Sequence, residues 1–173
     1  MYRASSPLLQ ASMAALVPVV KGLAVSDAAL WQLDVDDYNE ETIGLILESV
    51  QEIRKETSRA IQGLSLKEEE AKTPYRASDT LVTKIMMGTM GCVPAFDRYF
   101  KRALGVTGLK KKSLEKVSDF YVQHRDEIDQ IHHSRRTRQF ASDEGGPEFT
   151  NNPLTRARII DMTLLVRGGG IPT

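Results

Sequence analysis

The sequence predicts an all-α fold, a single-domain bundle of about six to eight helices around two buried helices. Two long segments, at 38–62 and 113–140, repeat apolar residues at helical spacing. Two others are expected inside the bundle: the segment at 79–91 is apolar on nearly every side, and the one at 153–166 is apolar over much of its surface. No segment alternates cleanly between apolar and polar residues, so we expect no β-strand.

The N-terminal part begins with an apolar stretch at 8–20. This stretch is short for a bilayer span and contains Gln10 and Pro18, so we expect an ordinary first helix and no membrane segment. The helix predicted at 38–62 has acidic residues at its start, where the helix dipole favours them, and Gly63 marks its end.

The two central helices are predicted from capping residues and helix breakers. Ser78 or Asp79 caps the buried helix at 79–91, because both side chains accept hydrogen bonds from the free N–H groups of a first turn. Pro94 suits the first turn of the next helix, where its missing N–H costs nothing. Gly105 is expected to end that helix.

The C-terminal third is predicted as a helix, a loop and a final helix. The long helix at 113–140 is followed at 141–152 by a segment rich in Gly, Asn and acidic residues, which is typical of a loop. Asn152 is expected to cap the last helix, with Pro153 at its first position.

Charge and cysteine content limit the classes of function. The chain has 23 basic and 23 acidic side chains, so no global field draws it to nucleic acid or to a membrane. Its single cysteine, Cys92, cannot form an internal disulfide or a cysteine-built metal site, and suits a reducing cytoplasm. We expect a cytoplasmic protein with no cofactor, no metal site and no membrane contact. It should form one helical domain over 1–167 with a flexible C-terminal tail over 168–173.

Asp97 is the candidate catalytic residue. Pro94 places it in the first turn of a helix, where backbone N–H groups stabilise a carboxylate. A structural role is also open, because Lys101 lies four residues on, within ion-pair reach. Asp161 interrupts an apolar helix and needs a partner. Arg158 or a residue of the central helix would make a structural ion pair, whereas a position facing Asp97 would make Asp161 a second acid.

The segment 93–104, VPAFDRYFKRAL, resembles the helix-hairpin-helix DNA glycosylases, which carry a Pro, an apolar residue and an Asp at a helix start. The resemblance implies nucleic-acid binding and processing, with Asp97 stabilising positive charge on the deoxyribose or activating the attacking nucleophile. The family's paired-Gly hairpin is missing upstream, as are the iron–sulfur cysteines of some members. The segments 84–100 and 158–162 are also similar to uncharacterised bacterial helical proteins, a likeness that implies no activity. The residues that match the glycosylase pattern are Pro94, Phe96, Asp97, Phe100, Arg102 and Leu104.

Lysines and arginines after Asp97 are candidate contacts to phosphate. On the glycosylase interpretation, a nucleic-acid backbone passes beside the turn that follows the Asp97 helix. Charged helix ends that are merely solvated are the alternative. Arg135, Arg136 and Arg138 form a second basic cluster of the same kind. The candidate nucleic-acid-binding residues are Lys101, Arg102, Lys110, Lys111 and Lys112.

Two other functions stay open. Arg125 and His132, seven residues apart on one predicted helix, resemble the Arg-then-His pair of HEPN ribonucleases, in which the histidine acts as acid or base. A solvated helix end is the alternative interpretation of this pair. A non-catalytic interaction module would form a homodimer through the apolar N-terminal helix, at Leu9 and Leu16.

Overall fold

The computed structural model describes residue 14 and residues 17–63, 75–140 and 147–169 of the chain. Leu9 and Leu16 of the predicted dimer contact lie outside these residues. The described chain consists mainly of α-helices with one antiparallel pair of strands, which confirms the predicted all-α fold. In chain order the elements are α1 (Val17–Ala24), α2 (Glu40–Gln62), α3 (Asp79–Thr89), α4 (Arg98–Leu104), α5 (Lys111–Gln123), α6 (Arg125–Ser134), β1 (Arg136–Phe140), β2 (Pro147–Pro153) and α7 (Arg156–Arg167).

Capping side chains set the starts of α2 and α3. Asn39 accepts hydrogen bonds from the N–H groups of Glu41 and Thr42, at 2.9 and 3.0 Å. Thr42 in turn accepts one from the N–H of Asn39, at 2.9 Å, which completes a reciprocal capping box. Gly63 follows the last residue of α2, as predicted. Ser78 caps α3, so one of the two predicted caps is confirmed.

The start of α4 lies later than predicted, whereas its end is as predicted. Asp97 is the cap and Arg98 the first helical residue, so Pro94 lies in the preceding non-helical segment rather than in the first turn. Gly105 ends the helix in the left-handed conformation, with φ 68°, which favours glycine.

The C-terminal third differs from the prediction. The helix predicted over 113–140 is interrupted at His124, whose φ of −123° and ψ of 25° leave helical geometry and separate α5 from α6. The expectation of no strand is wrong, because β1 and β2 satisfy each other's backbone groups as an antiparallel pair. The last helix is capped by Thr155, since Asn152 and Pro153 belong to β2.

The helices α3 and α7 each place one side in the core. Val82 on α3 and Ile160 on α7 are fully buried. Phe96 and Phe100 are buried with them, and their ring centroids lie 5.0 Å apart. Met162 on α7 is exposed, so α7 also has apolar residues outside the side that it buries in the core.

The packed part of the chain extends past α7. Gly168, the first residue of the predicted tail, is buried. A Cβ at this position would lie 2.2 Å from the carbonyl oxygen of Tyr99 on α4, so only glycine fits between the two backbones. The remainder of the predicted tail, at 170–173, lies outside the described residues.

The segment between α3 and α4, residues 91–97, is non-helical yet passes through the core; we call it the core link. It begins at Gly91, where φ is 74° and a Cβ would lie 2.7 Å from the Thr155 side chain. Burial raises the pKa of the Cys92 thiol to about 12, so the thiol stays neutral. The buried residues of the link are Gly91, Cys92, Val93, Pro94, Ala95 and Phe96.

Side chains from other parts of the fold hydrogen-bond to the backbone of the core link. Buried peptide groups without helical partners are costly unless such partners exist. Two carbonyl oxygens accept from hydroxyl groups, and two N–H groups donate to side-chain oxygens. The bonds are Tyr38 Oη to the Cys92 oxygen (2.8 Å), Thr80 Oγ1 to the Phe96 oxygen (2.8 Å), the Phe96 N–H to Thr83 Oγ1 (2.9 Å) and the Ala95 N–H to Asp161 Oδ1 (3.0 Å).

A second polar network joins the segment before α2 to α6 and α7. Arg156 donates through Nε to Asp129 Oδ1 at 2.7 Å, and its Nη1 lies 3.4 Å from Asp36 Oδ2. Asp34 accepts hydrogen bonds from the backbone N–H groups of Arg156 and Ala157, at 2.7 and 2.9 Å. A carboxylate is favoured at a helix N-terminus, so this network fixes where α7 begins.

Candidate functional site

Three charged side chains from separate helices meet beside the core link. Lys84 lies on α3, Asp97 caps α4, and Asp161 lies on α7. Lys84 Nζ is 3.9 Å from Asp97 Oδ2. Asp161 Oδ1 accepts the N–H of Ala95, which lies just before Asp97 in the link. The core link therefore brings two carboxylates together, and we call Asp97 and Asp161 the acid pair.

Asp97 is held at both carboxylate oxygens. Oδ1 accepts the N–H groups of Tyr99 and Phe100, at 2.9 and 3.0 Å, while Oδ2 lies on the side of Lys84. Only 17% of the side chain is exposed. The structure pairs Asp97 with Lys84 rather than with the predicted Lys101, because the capping carboxylate folds back over the helix start.

The environment of Asp161 shifts its equilibrium toward the protonated form, relative to a carboxyl in water. Burial raises its pKa from 3.8 to about 6, and the charge of Asp97 acts in the same direction. The Ala95 N–H and the positive charges of Lys84 and Arg158 oppose this rise in pKa. The sequence predicts that Asp161 pairs with Arg158 or with a residue of the central helix. In the structure the charges of Arg158 and of Lys84, on the central helix α3, both act on the Asp161 carboxyl group. A carboxyl that titrates near neutral pH has the property that general acid–base catalysis requires.

Basic side chains share the helices that carry the acid pair. Lys101, half-buried, and Arg102, exposed, lie on the helix that Asp97 caps. Arg158 is exposed on the helix that carries Asp161. Cations in these positions suit the phosphates of a polyanionic ligand, and Lys101 and Arg102 stay predicted phosphate contacts.

The lysine cluster at 110–112 lies at the start of α5 and is exposed. The turn before it is fixed by Asp79, whose Oδ2 accepts the N–H of Leu109 at 3.0 Å. Lys111 Nζ lies 2.5 Å from Glu40 Oε1 at the start of α2, and this hydrogen bond raises the pKa of Lys111. Because Glu40 neutralises part of its charge, Lys111 attracts a phosphate less strongly. Lys110 and Lys112 stay predicted phosphate contacts.

Arg125 and His132 lie near opposite ends of α6. The Arg125 guanidinium carbon is 5.4 Å from the ring centroid of Tyr121. His132 Nδ1 lies 2.7 Å from the Leu154 carbonyl oxygen, which can only accept, so Nδ1 carries the hydrogen. Seven residues at a helical rise separate the two Cα positions by about 10 Å along the axis. Their role as a ribonuclease pair stays a prediction.

A cleft of about 650 Å³ opens beside the start of α2, away from the acid pair. Leu33, Asp36, Tyr38 and Thr42 are among its lining residues, and Asp97 is not.

Across the described parts of the chain, no three or more His, Cys, Asp or Glu side chains are grouped to hold a metal ion. Over the same residues, no helix has both the length and the hydrophobicity to cross a membrane.

Comparison of the chain with protein-family models, with curated proteins and with solved structures found no match. The sequence marks both carboxylates of the acid pair, Asp97 by its place after Pro94 and Asp161 by its polarity in an apolar helix. It does not reveal Lys84 as their partner, since that contact joins different helices and has no local spacing.

Asp161→Asn tests the protonation state of the half-buried Asp161 carboxyl. Asn keeps an oxygen that accepts the Ala95 N–H but cannot ionise. Because folding raises the pKa of Asp161 from 3.8 to about 6, its stabilising contribution is complete below the lower value and is lost as pH rises through the higher one. The unfolding free energy of the wild type should therefore fall relative to D161N across this range. We expect a fall of about 1–2 kcal/mol, since solvent screens a partly exposed group.

Urea unfolding followed by circular dichroism across this pH range measures the difference. Asp119→Asn, which makes the same substitution at an exposed position of α5, is the control for the amide itself. Wild type and D161N with parallel pH dependences would contradict a raised pKa for Asp161.

Proposed function

We propose that this chain binds nucleic acid over the surface of α4 and cleaves a glycosidic bond through the acid pair. The observation that carries the proposal is the acid pair itself: Asp161 is bonded to the backbone N–H of Ala95, within range of the Asp97 charge, and burial raises its pKa to about 6. In the proposed reaction, protonated Asp161 donates its proton to the departing base. Asp97 stabilises the positive charge that develops on the sugar as the glycosidic bond breaks, and water then adds to the sugar and gives a proton back to the Asp161 carboxylate.

The surroundings of the acid pair support a polyanionic substrate. Lys84 lies 3.9 Å from Asp97 Oδ2, and Lys101 and Arg102 follow on the same helix as the Asp97 cap. Phosphates on either side of a target nucleotide would meet these cations. The likeness of the segment 93–104 to glycosylases supports the same substrate class and the same role for Asp97.

The binding step is tested with a short duplex in a salt titration. Lys101→Ala with Arg102→Ala should weaken binding and lower the salt slope by about 1.8, since each duplex phosphate contact contributes about 0.9. Lys55→Ala with Arg59→Ala removes the same charge from exposed positions on α2 and is the matched control. Wild-type protein that binds no duplex at low salt would exclude the proposal.

The chemical step is tested on the same duplex carrying one deaminated or alkylated base, with abasic sites detected by alkaline strand cleavage. Asp97→Asn should bind like the wild type but release base about 100- to 1000-fold more slowly. Asn caps a helix as well as Asp does, so the fold of this variant should be retained. Wild-type binding without any base release would retain the binding proposal and exclude the glycosidic reaction.

A second candidate, a non-catalytic module that forms a homodimer, is supported by the outer side of α1. Val19 and Leu23 are buried where α1 packs on α2, whereas Val17 and Val20 point outward. An apolar helix side of this kind can be covered by the same side of a second copy about a two-fold axis.

Val20→Asp should weaken self-association, because a carboxylate would have to be desolvated in the dimer contact. Val122→Asp on α5 is the matched control, since both valines are 59% exposed. Sedimentation velocity over a range of concentrations measures the effect. A wild-type chain that stays monomeric at the highest concentration would exclude the dimer.

A further inference from the structure

The strands β1 and β2 form a ribbon with one basic and aromatic side. Arg138 and Phe149 are directly opposite each other in the antiparallel register, so their side chains share a side. The Arg138 guanidinium carbon lies 4.8 Å from the Phe149 ring centroid. Arg136 is exposed at the base of β1, beyond a break in the strand register between Arg136 and Arg138, and its Nη1 donates to the His133 carbonyl oxygen at 2.9 Å. We call Arg136, Arg138 and Phe149 the ribbon site.

The orientation of the ribbon directs this side toward solvent. Thr137 and Thr150 belong to the other side, where they are half-buried and their hydroxyl groups hydrogen-bond to each other. The base of the ribbon is closed by the Leu154 N–H, which donates to the Arg135 carbonyl oxygen at 3.2 Å. His132 Nδ1 donates to the Leu154 carbonyl oxygen at 2.7 Å, which ties the ribbon to α6. The ribbon site therefore stays on the outside.

The arginines of the ribbon site differ from those that build the fold. Arg54 and Arg156 are buried or nearly so and pair with carboxylates, at 2.5 and 2.7 Å. In contrast, the described contacts of Arg136 are to carbonyl oxygens, and Arg138 lies over an aromatic ring. Phe149 is 65% exposed despite that contact. Arg136 thus bonds to backbone at the end of α6, whereas Arg138 and the exposed Phe149 ring contact each other on the outside of the ribbon.

We infer that the ribbon site binds single-stranded nucleic acid. Arg136 and Arg138 contact successive phosphates, and Phe149 stacks on an unpaired base through the ring side that Arg138 leaves open. A single strand fits better than a duplex, because only unstacked bases can reach an aromatic side chain. The inference shares its ligand class with the proposed function but rests on different residues, so the two can fail separately.

The test titrates full-length protein into fluorescent oligothymidine, oligouridine and a mixed-sequence duplex, with anisotropy as the signal. Phe149→Ala should weaken single-strand binding about 5- to 100-fold, the range expected for the loss of one stacked base. Phe149→Trp should keep the affinity and Phe149→Leu should not, because the inference requires a ring. All three change an exposed side chain, so the fold should be retained, and circular dichroism verifies this.

Arg136→Ala with Arg138→Ala should lower the single-strand salt slope by about 1.4, since each phosphate contact contributes about 0.7. Lys55→Ala with Arg59→Ala, which removes the same charge from α2, should leave the slope unchanged. Binding of either oligothymidine or oligouridine with these effects supports the inference, and a preference between them identifies the sugar.

Three outcomes would overturn the inference: no single-strand binding by the wild type, unchanged binding by the Phe149→Ala and double arginine variants, or equal loss in the α2 control. Loss of single-strand binding only in the ribbon variants, with Lys101→Ala and Arg102→Ala inert on the duplex, supports the ribbon site and excludes the α4 surface. Loss of single-strand binding only in the α4 variants overturns the ribbon site and supports the proposed function.

Discussion

Buried peptide groups that lack helical partners have to be hydrogen-bonded by something else, and this constraint sets the geometry between α3 and α4. The core link is buried over six consecutive residues, from Gly91 to Phe96, yet none of them is helical. Thr83 and Asp161 satisfy two of its N–H groups from α3 and α7. A side-chain hydrogen-bond acceptor is thereby needed on the part of α7 that faces the link, and the break in the hydrophobic pattern at Asp161 has a structural cause.

The same constraint creates the candidate site. The link ends at Asp97, which has to lie where it can cap α4, and this position is beside the carboxyl that holds Ala95. Burial and the nearby charge of Asp97 raise the pKa of Asp161 to about 6, while Lys84 offsets part of the repulsion. Structural and catalytic roles for these carboxylates are therefore compatible. The Asp161 carboxyl group both stabilises the link and has a raised pKa, so it can take up and release a proton.

Local patterns were sufficient to predict most helices and to single out the two carboxylates of the acid pair and the arginines of the ribbon. They did not reveal Lys84 or Phe149, which contact these residues. The long helix α2, the Ser78 cap and the Gly105 stop depend on residues a few positions apart, and all three are confirmed. The pairing of Lys84 with Asp97 depends on how α3 and α4 pack, which no spacing in the sequence encodes. The ribbon was missed because its basic strand continues a helical segment without a clear change in polarity at Arg136.

The most direct measurement is the titration of the Asp161 carboxyl carbon by NMR in the wild type and in Asp97→Asn. A half-buried carboxyl beside a second carboxylate should titrate near pH 6 in the wild type, and its pKa should fall when the charge at Asp97 is removed. A titration near the ordinary value of 3.8 in both proteins would show that Asp161 is solvated and independent of Asp97, and would contradict the acid pair.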